Sequence, residues 1–150
     1  MPADQTLQSA RAELAALADA GGRGAPGFAA LTGLPQAADS RAAAVLILFG
    51  VLDSLPSDRD AQAQAVSRDL DVLLLARATT LRSHPGQVAF PGGRMDPGDD
   101  GPVGAALREA QEETGLDPAG VEVLGTLESI PLAYSRHVVT PVLAWWRHPS

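Results

Sequence analysis

Two faces that cannot share one environment run along Pro102–Thr114. Val103, Ala106, Leu107 and Ala110 recur at helical spacing and form an apolar stripe that must pack on other structure. Pro102 stands at a favoured first helical position, and Gly115 at a favoured stop. On the same helix, Glu109, Glu112 and Glu113 fall at i, i+3 and i+4, an arc of about 100° at ~3.6 residues per turn. Like charges at this spacing cost about a few tenths of a kcal/mol per pair. A hard divalent cation turns that cost into a ligand set, and oxygen ligands suit Mg²⁺ or Mn²⁺. Taken alone, the helix allows two readings: a solvated glutamate-rich face, or a metal site. Arg108 is likewise either a surface residue or the group that orients Glu109.

The flanking segments predict the partner surface. Ala42–Gly50 and Asp71–Arg77 read as strands by length and apolar content, with Val72, Leu73, Leu74 and Leu75 at the centre of the second. Gly86–Phe90 reads as a short strand that ends in a glycine turn, Pro91-Gly92-Gly93. Val121–Ile130 and Val138–Trp146 are further strands. Asp53–Arg68, polar with charges of both signs, reads as a surface loop or short helix. At the N-terminus, Leu7, Ala10, Leu14 and Leu17 give Asp4–Ala20 a helical period, followed by a Gly/Pro/Ala-rich lead-in to Ser40. The pattern is α/β: a mixed sheet with helices against it. We expect residues 1–40 to be an N-terminal helix and irregular lead-in, and residues 41–150 to be the functional domain.

Charge and composition narrow the function classes. A net charge of −7 argues against a broad nucleic-acid surface, which needs a basic stripe. It leaves room for a phosphate ligand, because a carboxylate-held metal or a local arginine cluster reverses the field inside one cleft. The absence of cysteine removes thiolate zinc sites, disulfides and a cysteine nucleophile. Met1–Ala10 lacks a basic stretch followed by an apolar run. The longest apolar run, Ala42–Phe49, is shorter than the ~20 residues a bilayer needs. The expectation is a cytoplasmic protein without membrane or nucleic-acid partners.

Before the helix, a glycine pair lets backbone approach a ligand closely and aims a carbonyl at a metal, or simply makes a tight turn. Asp96, Asp99 and Asp100 follow, as helix N-terminal charges or as additional metal ligands. From Gly93 to Leu116 the chain resembles the Nudix box: glycine, five residues, glutamate, seven residues, then Arg-Glu-apolar-any-Glu-Glu-any-Gly-apolar. Arg108-Glu109-Ala110-Gln111-Glu112-Glu113-Thr114-Gly115-Leu116 matches every fixed position of the second half. The first half departs: the glutamate position holds Asp99 counting forward from Gly93 and Asp100 counting back from Arg108, so the box is one residue longer. Upstream, Leu73–Gly93 resembles the additional motif of the coenzyme A pyrophosphatase branch: a double leucine, Arg77 and Arg82 five apart, a glycine, then Phe90-Pro91-Gly92-Gly93. Leu75 stands where that branch commonly has threonine.

The resemblance implies a Nudix-type α/β/α sandwich and metal-dependent hydrolysis of the pyrophosphate bond of coenzyme A, or its thioesters, to 3',5'-ADP and 4'-phosphopantetheine. It implies Glu109, Glu112, Glu113 and the Gly92 carbonyl as ligands of Mg²⁺ or Mn²⁺. It gives Glu109 the role of base or ligand, and Arg108 that of its positioning partner. Arg77 and Arg82 suit the substrate's phosphates, since guanidinium binds phosphate bidentately; Arg77 is otherwise a strand-end surface charge. His84 and Gly93 join the binding loop. Glu128 reads as a solvent-facing strand residue. Two alternatives stay open: hydrolysis of another nucleoside diphosphate derivative such as ADP-ribose, and a non-catalytic binding module of the same fold. Family members continue past the point where this chain ends at Ser150, so the resemblance implies a domain lacking its C-terminal strand and helix. On that expectation Trp145 and Trp146 are exposed, or form the contact of a homodimer.

Overall fold

The structure, a computed structural model, describes residues 3–22, 39–51, 70–76, 86–132 and 136–148. Two ten-residue strands form its centre: β1 (Arg41–Gly50) and β8 (His137–Trp146). They pair in parallel and in register from Arg41↔His137 to Gly50↔Trp146. Each then shares its outer edge between two short strands. On β1, β2 (Asp71–Val72) takes Phe49 and Gly50, and β5 (Gly92–Arg94) takes Ala43 to Val45, both antiparallel. On β8, β6 (Val121–Thr126) and β7 (Ile130–Leu132) divide the edge in the same way. A separate two-stranded sheet joins β3 (Leu75–Ala76) to β4 (Val88–Ala89). The helices are α1 (Ala3–Gly22) and α2 (Gly101–Thr114).

Side-chain alternation assigns the two faces of the sheet. Ala44, Leu46 and Leu48 of β1 and Val142, Ala144 and Trp146 of β8 form one buried cluster with Ala105, Ala106 and Ala110 of α2. Three alanines at the contact let the helix sit close to the sheet, while Val103 and Leu107 pack partly buried at its margin. Gly115, at φ 76°, ends the helix in the left-handed conformation, and its N–H donates to the Gln111 carbonyl. On the opposite side, α1 packs chiefly against β6 and touches β8. An Arg11–Glu122 ion pair ties the helix to that strand, with Nε donating to Oε1 at 2.8 Å.

Several expectations change. Leu17 does not face the core; it is 46% exposed, and Ala18 is buried instead. The reason is close approach: a Cβ on Gly125 of β6 would come within 3.1 Å of the Ala18 Cβ, a spacing that leaves no room for leucine. The expected strand Asp71–Arg77 splits after Val72, because β5 occupies the rest of the β1 edge; its second half pairs with β4. The expected glycine turn Pro91-Gly92-Gly93 is largely strand, since Gly92 and Gly93 belong to β5. Val121–Ile130 is broken as well. Leu127 N–H donates to the Pro141 carbonyl at 2.9 Å, but proline has no N–H to return, and the ladder resumes only at Ile130. Glu128 therefore lies off the strand and partly buried. Trp145 and Trp146 are each only 8% exposed, not surface residues. They sit at the in-register end of the central pair, where β1 and β6 flank β8 on its two sides.

Candidate active site

The register of β5 sets the geometry of the site. The bonds Leu46 N–H to Pro91 O (2.8 Å) and Met95 N–H to Ala42 O (3.0 Å) make residues 91, 93 and 95 the ones whose main-chain groups face β1. Gly92 and Arg94 therefore turn their main-chain groups outward, away from the sheet. Both are met by α2. Gly92 N–H donates to Glu113 Oε1 at 3.1 Å, and the Arg94 carbonyl accepts from Arg108 Nη2 at 3.2 Å. The Gly92 carbonyl shares this outward orientation.

Gly93 faces the helix side, and the missing side chain is what admits the helix. A Cβ there would lie 2.7 Å from the Glu109 carboxylate carbon and from Oε1. At Gly92 a Cβ would lie 2.4 Å from the Ala44 carbonyl oxygen and 2.8 Å from Val45. The glycine pair thus serves two contacts: the first lets β5 meet β1, the second lets the Glu109 carboxylate rest on β5.

Arg108 is the hub. Its Nε donates to Asp99 Oδ1 at 2.7 Å and its Nη2 to Asp99 Oδ2 at 3.0 Å, a two-pronged pair. Nη1 donates to Glu109 Oε1 at 3.1 Å and to Glu112 Oε2 at 3.3 Å. Asp96 adds a longer ion pair at 3.4 Å. The Asp99 side chain is only 6% exposed. Its hydrogen bonds from Arg108, first, and from the Asp96 main chain hold its carboxyl below the ordinary aspartate range. The same pairing with Asp99 raises Arg108 above the ordinary arginine range, against the opposing effect of burial, with Glu109 contributing.

The structure thus brings together Gly92, Gly93, Arg108, Glu109, Glu112 and Glu113. Arg77, Arg82 and His84 lie outside the described residues. Asp99, open in the sequence between a helix-terminal charge and a metal ligand, is the bidentate partner of Arg108. Asp100 is the residue that precedes α2, and its side chain makes no capping bond. Nothing in the sequence distinguished these two aspartates, because the loop path from Asp96 to Asp100 decides which one turns inward.

Three carboxylates and an outward carbonyl are hard oxygen donors, the chemistry that Mg²⁺ or Mn²⁺ takes. Among the described residues, no group of three acidic or histidine side chains converges into a ready metal cage. Glu109 and Glu112 are instead engaged by Arg108, and Glu113 by Gly92 N–H. The contacts that would have to yield to a cation are the longer ones, at 3.1 to 3.3 Å, and Glu112 and Glu113 are exposed enough to turn. The chemistry of the donor set, oxygen only, fits such an ion. Among the described residues, no helix is long and apolar enough to cross a membrane.

A family model described as NUDIX domain matches residues 59–144, more than half of the chain. The chain is similar to the Nudix hydrolase NudL of Cronobacter sakazakii, with 50% identity over 72 residues covering 48% of this chain and 37% of that protein. NudL of Escherichia coli K12 is 47% identical over the same span and coverage. The matched region thus spans little more than a third of the length of these curated relatives. Among solved structures, a Nudix hydrolase from M. smegmatis, RenU, superposes with a TM-score of 0.53 at 25% identity, covering 73% of this chain and 63% of that one. With a mixed sheet, helices on both faces and a glutamate helix seated against the Gly92–Arg94 strand, the chain belongs to the Nudix family.

Proposed function

We propose that this chain carries out metal-dependent hydrolysis of the pyrophosphate bond of coenzyme A, giving 3',5'-ADP and 4'-phosphopantetheine. The observation that carries the hydrolase reading is the Arg108 hub, which engages Glu109 and Glu112 while the Glu109 carboxylate rests against Gly93 and Glu113 accepts from Gly92 N–H. A non-catalytic module has no need to maintain that repulsive group. The substrate rests on the resemblance of Leu73–Gly93 to the coenzyme A pyrophosphatase motif. Arg77, Arg82 and His84 would contact the substrate's phosphates, with Gly93 as a further binding position.

Glu109, Glu112, Glu113 and the Gly92 carbonyl would hold Mg²⁺ or Mn²⁺. A cation held by these residues would supply charge to offset the diphosphate and to lower the pKa of an attacking water. The chain's own residues do the positioning. Arg108 engages Oε1 of Glu109, while Oε2 has no hydrogen-bond partner among the described residues. That oxygen is the atom offered either to the cation or to a proton of the water. Asp99 holds Arg108 in place through two bonds. Hydrolysis forms one phosphorus–oxygen bond from water and breaks the bridging one. The water's proton passes to the base, and the charge of the departing phosphate oxygen is offset by the cationic groups.

The test is product analysis by chromatography after incubation with coenzyme A and Mg²⁺ or Mn²⁺, with ADP-ribose in parallel and Glu112→Gln as control. We expect metal-dependent 3',5'-ADP that disappears in the variant. Cleavage of ADP-ribose alone overturns the substrate and keeps the hydrolase. No turnover of either compound, by this chain or a C-terminally extended one, favours the binding module.

A further inference from the structure

A second charged cavity lies on the other face of the sheet. It has a volume of about 530 Å³ and is lined by Asp39, Arg41, Arg94, Arg136 and His137. Sheet register shows why these residues meet. Arg41 and His137 are directly paired across the parallel β1–β8 ladder, so their side chains leave the same face. Arg94 pairs with Ala43, two residues from Arg41, and joins that face from β5. Ala44, next in β1, belongs to the α2 core, so the cavity and the glutamate helix occupy opposite sides of the sheet. Arg136 enters from the turn before β8 with φ 57°, a left-handed conformation uncommon for a non-glycine residue. Its carbonyl accepts the Arg41 N–H at 2.9 Å, which pins the turn beside the strand.

The lining thus holds three arginines and one carboxylate among the described residues. Asp39 meets Arg136 at 3.8 Å with both side chains largely exposed, a weak pair that leaves positive charge in excess. Arg41 and Arg94 have no carboxylate partner among the described residues. In a chain of net charge −7, a local excess of arginine suits a tetrahedral oxyanion, because guanidinium presents paired donors to phosphate. We infer that this cavity binds a phosphate group, separately from the Glu109 site. The phosphate is either a free ion or the terminal monoester of a nucleotide. The site stands on its own geometry and does not depend on the proposed reaction.

The test is a binding titration of the full chain at constant ionic strength, followed by calorimetry and by side-chain NMR of the arginines. The probes are inorganic phosphate, 3',5'-ADP and AMP, without divalent metal. The variants are Arg41→Gln, Arg94→Gln and Arg136→Gly; the last suits the left-handed backbone. We expect saturable phosphate binding that shifts the Arg41, Arg94 and Arg136 resonances and weakens about tenfold or more in each variant. Glu112→Gln should leave it unchanged. Tighter binding of 3',5'-ADP or AMP than of inorganic phosphate, lost in the same variants, assigns the site to a nucleotide monoester; equal binding of all three probes assigns it to free phosphate. Arginine resonances that do not move with any probe, or folded variants that bind as the parent does, overturn the site. Because the readout is binding without metal, that result is separate from any failure of turnover.

Discussion

Adding one methyl group at Gly93, and the same methyl group at Gly92, separates catalytic placement from folding. At Gly93 the new Cβ would stand 2.7 Å from the Glu109 carboxylate, against ordinary contact at 3.4 Å or more. The obstacle is the far end of a flexible side chain. It can retreat by about 0.7 Å without moving backbone, and a displacement on the order of 1 Å at a catalytic group costs about 10²-fold in rate. At Gly92 the obstacle is the Ala44 carbonyl at 2.4 Å and the Val45 Cα at 2.8 Å, so the β1–β5 pairing itself must open. Overpacking of this kind costs about 1–3 kcal/mol, or roughly 2–12 °C in Tm for a chain of this size. The assay pairs thermal unfolding with the proposed metal-dependent turnover of coenzyme A. Gly93→Ala should keep its Tm within about 2 °C and lose about 10²-fold in kcat, whereas Gly92→Ala should lose stability first. If Gly93→Ala unfolds as readily as Gly92→Ala, or keeps full activity, then the Glu109 carboxylate does not rest on Gly93 as described and the reasoning fails.

Other predictions follow from the same geometry. Arg108→Lys keeps the charge but not the fork that reaches Asp99, Glu109 and Glu112 at once; turnover should fall about 10–100-fold, and an unchanged kcat would remove Arg108 as the positioning group. The Asp99 carboxyl is held low by Arg108, so its contribution to stability is present above its unfolded-state pKa of about 4 and is lost as pH falls through its lower folded-state value. Acid titration of Asp99→Asn should therefore show less loss of stability than the parent as pH falls below about 4, and parallel curves would contradict the ion pair. Leu46→Ala, at a fully buried position under α2, should cost about 2–5 kcal/mol, while Leu132→Ala, at 44% exposure, should stay within about 1 kcal/mol. Denaturant unfolding distinguishes the two, and equal losses would place the core elsewhere.

What the sequence by itself determined is what depends on local order. The helix over Pro102–Thr114 was legible from its period, its proline start and its glycine stop, and the structure shifts its beginning by one residue. The two long strands were legible from apolar runs, again with a one-residue change at the start of each. The glutamate group was legible because neighbours at i, i+3 and i+4 share a helix face wherever the helix packs. Tertiary structure decided everything set by register and close approach. Which aspartate serves Arg108 depends on the path of a loop. The glycine pair became a strand because β1 had an open edge at Ala43–Val45 and the helix needed room at Gly93. Ala18 rather than Leu17 was buried because α1 approaches β6 too closely for a large side chain. Arg41, Arg94 and Arg136 are far apart along the chain, and no periodicity links them. Arg41 and Arg94 share a face because alternate residues of neighbouring strands project to one side, and Arg136 joins them from the turn bonded to Arg41; only pairing fixes which strands are neighbours.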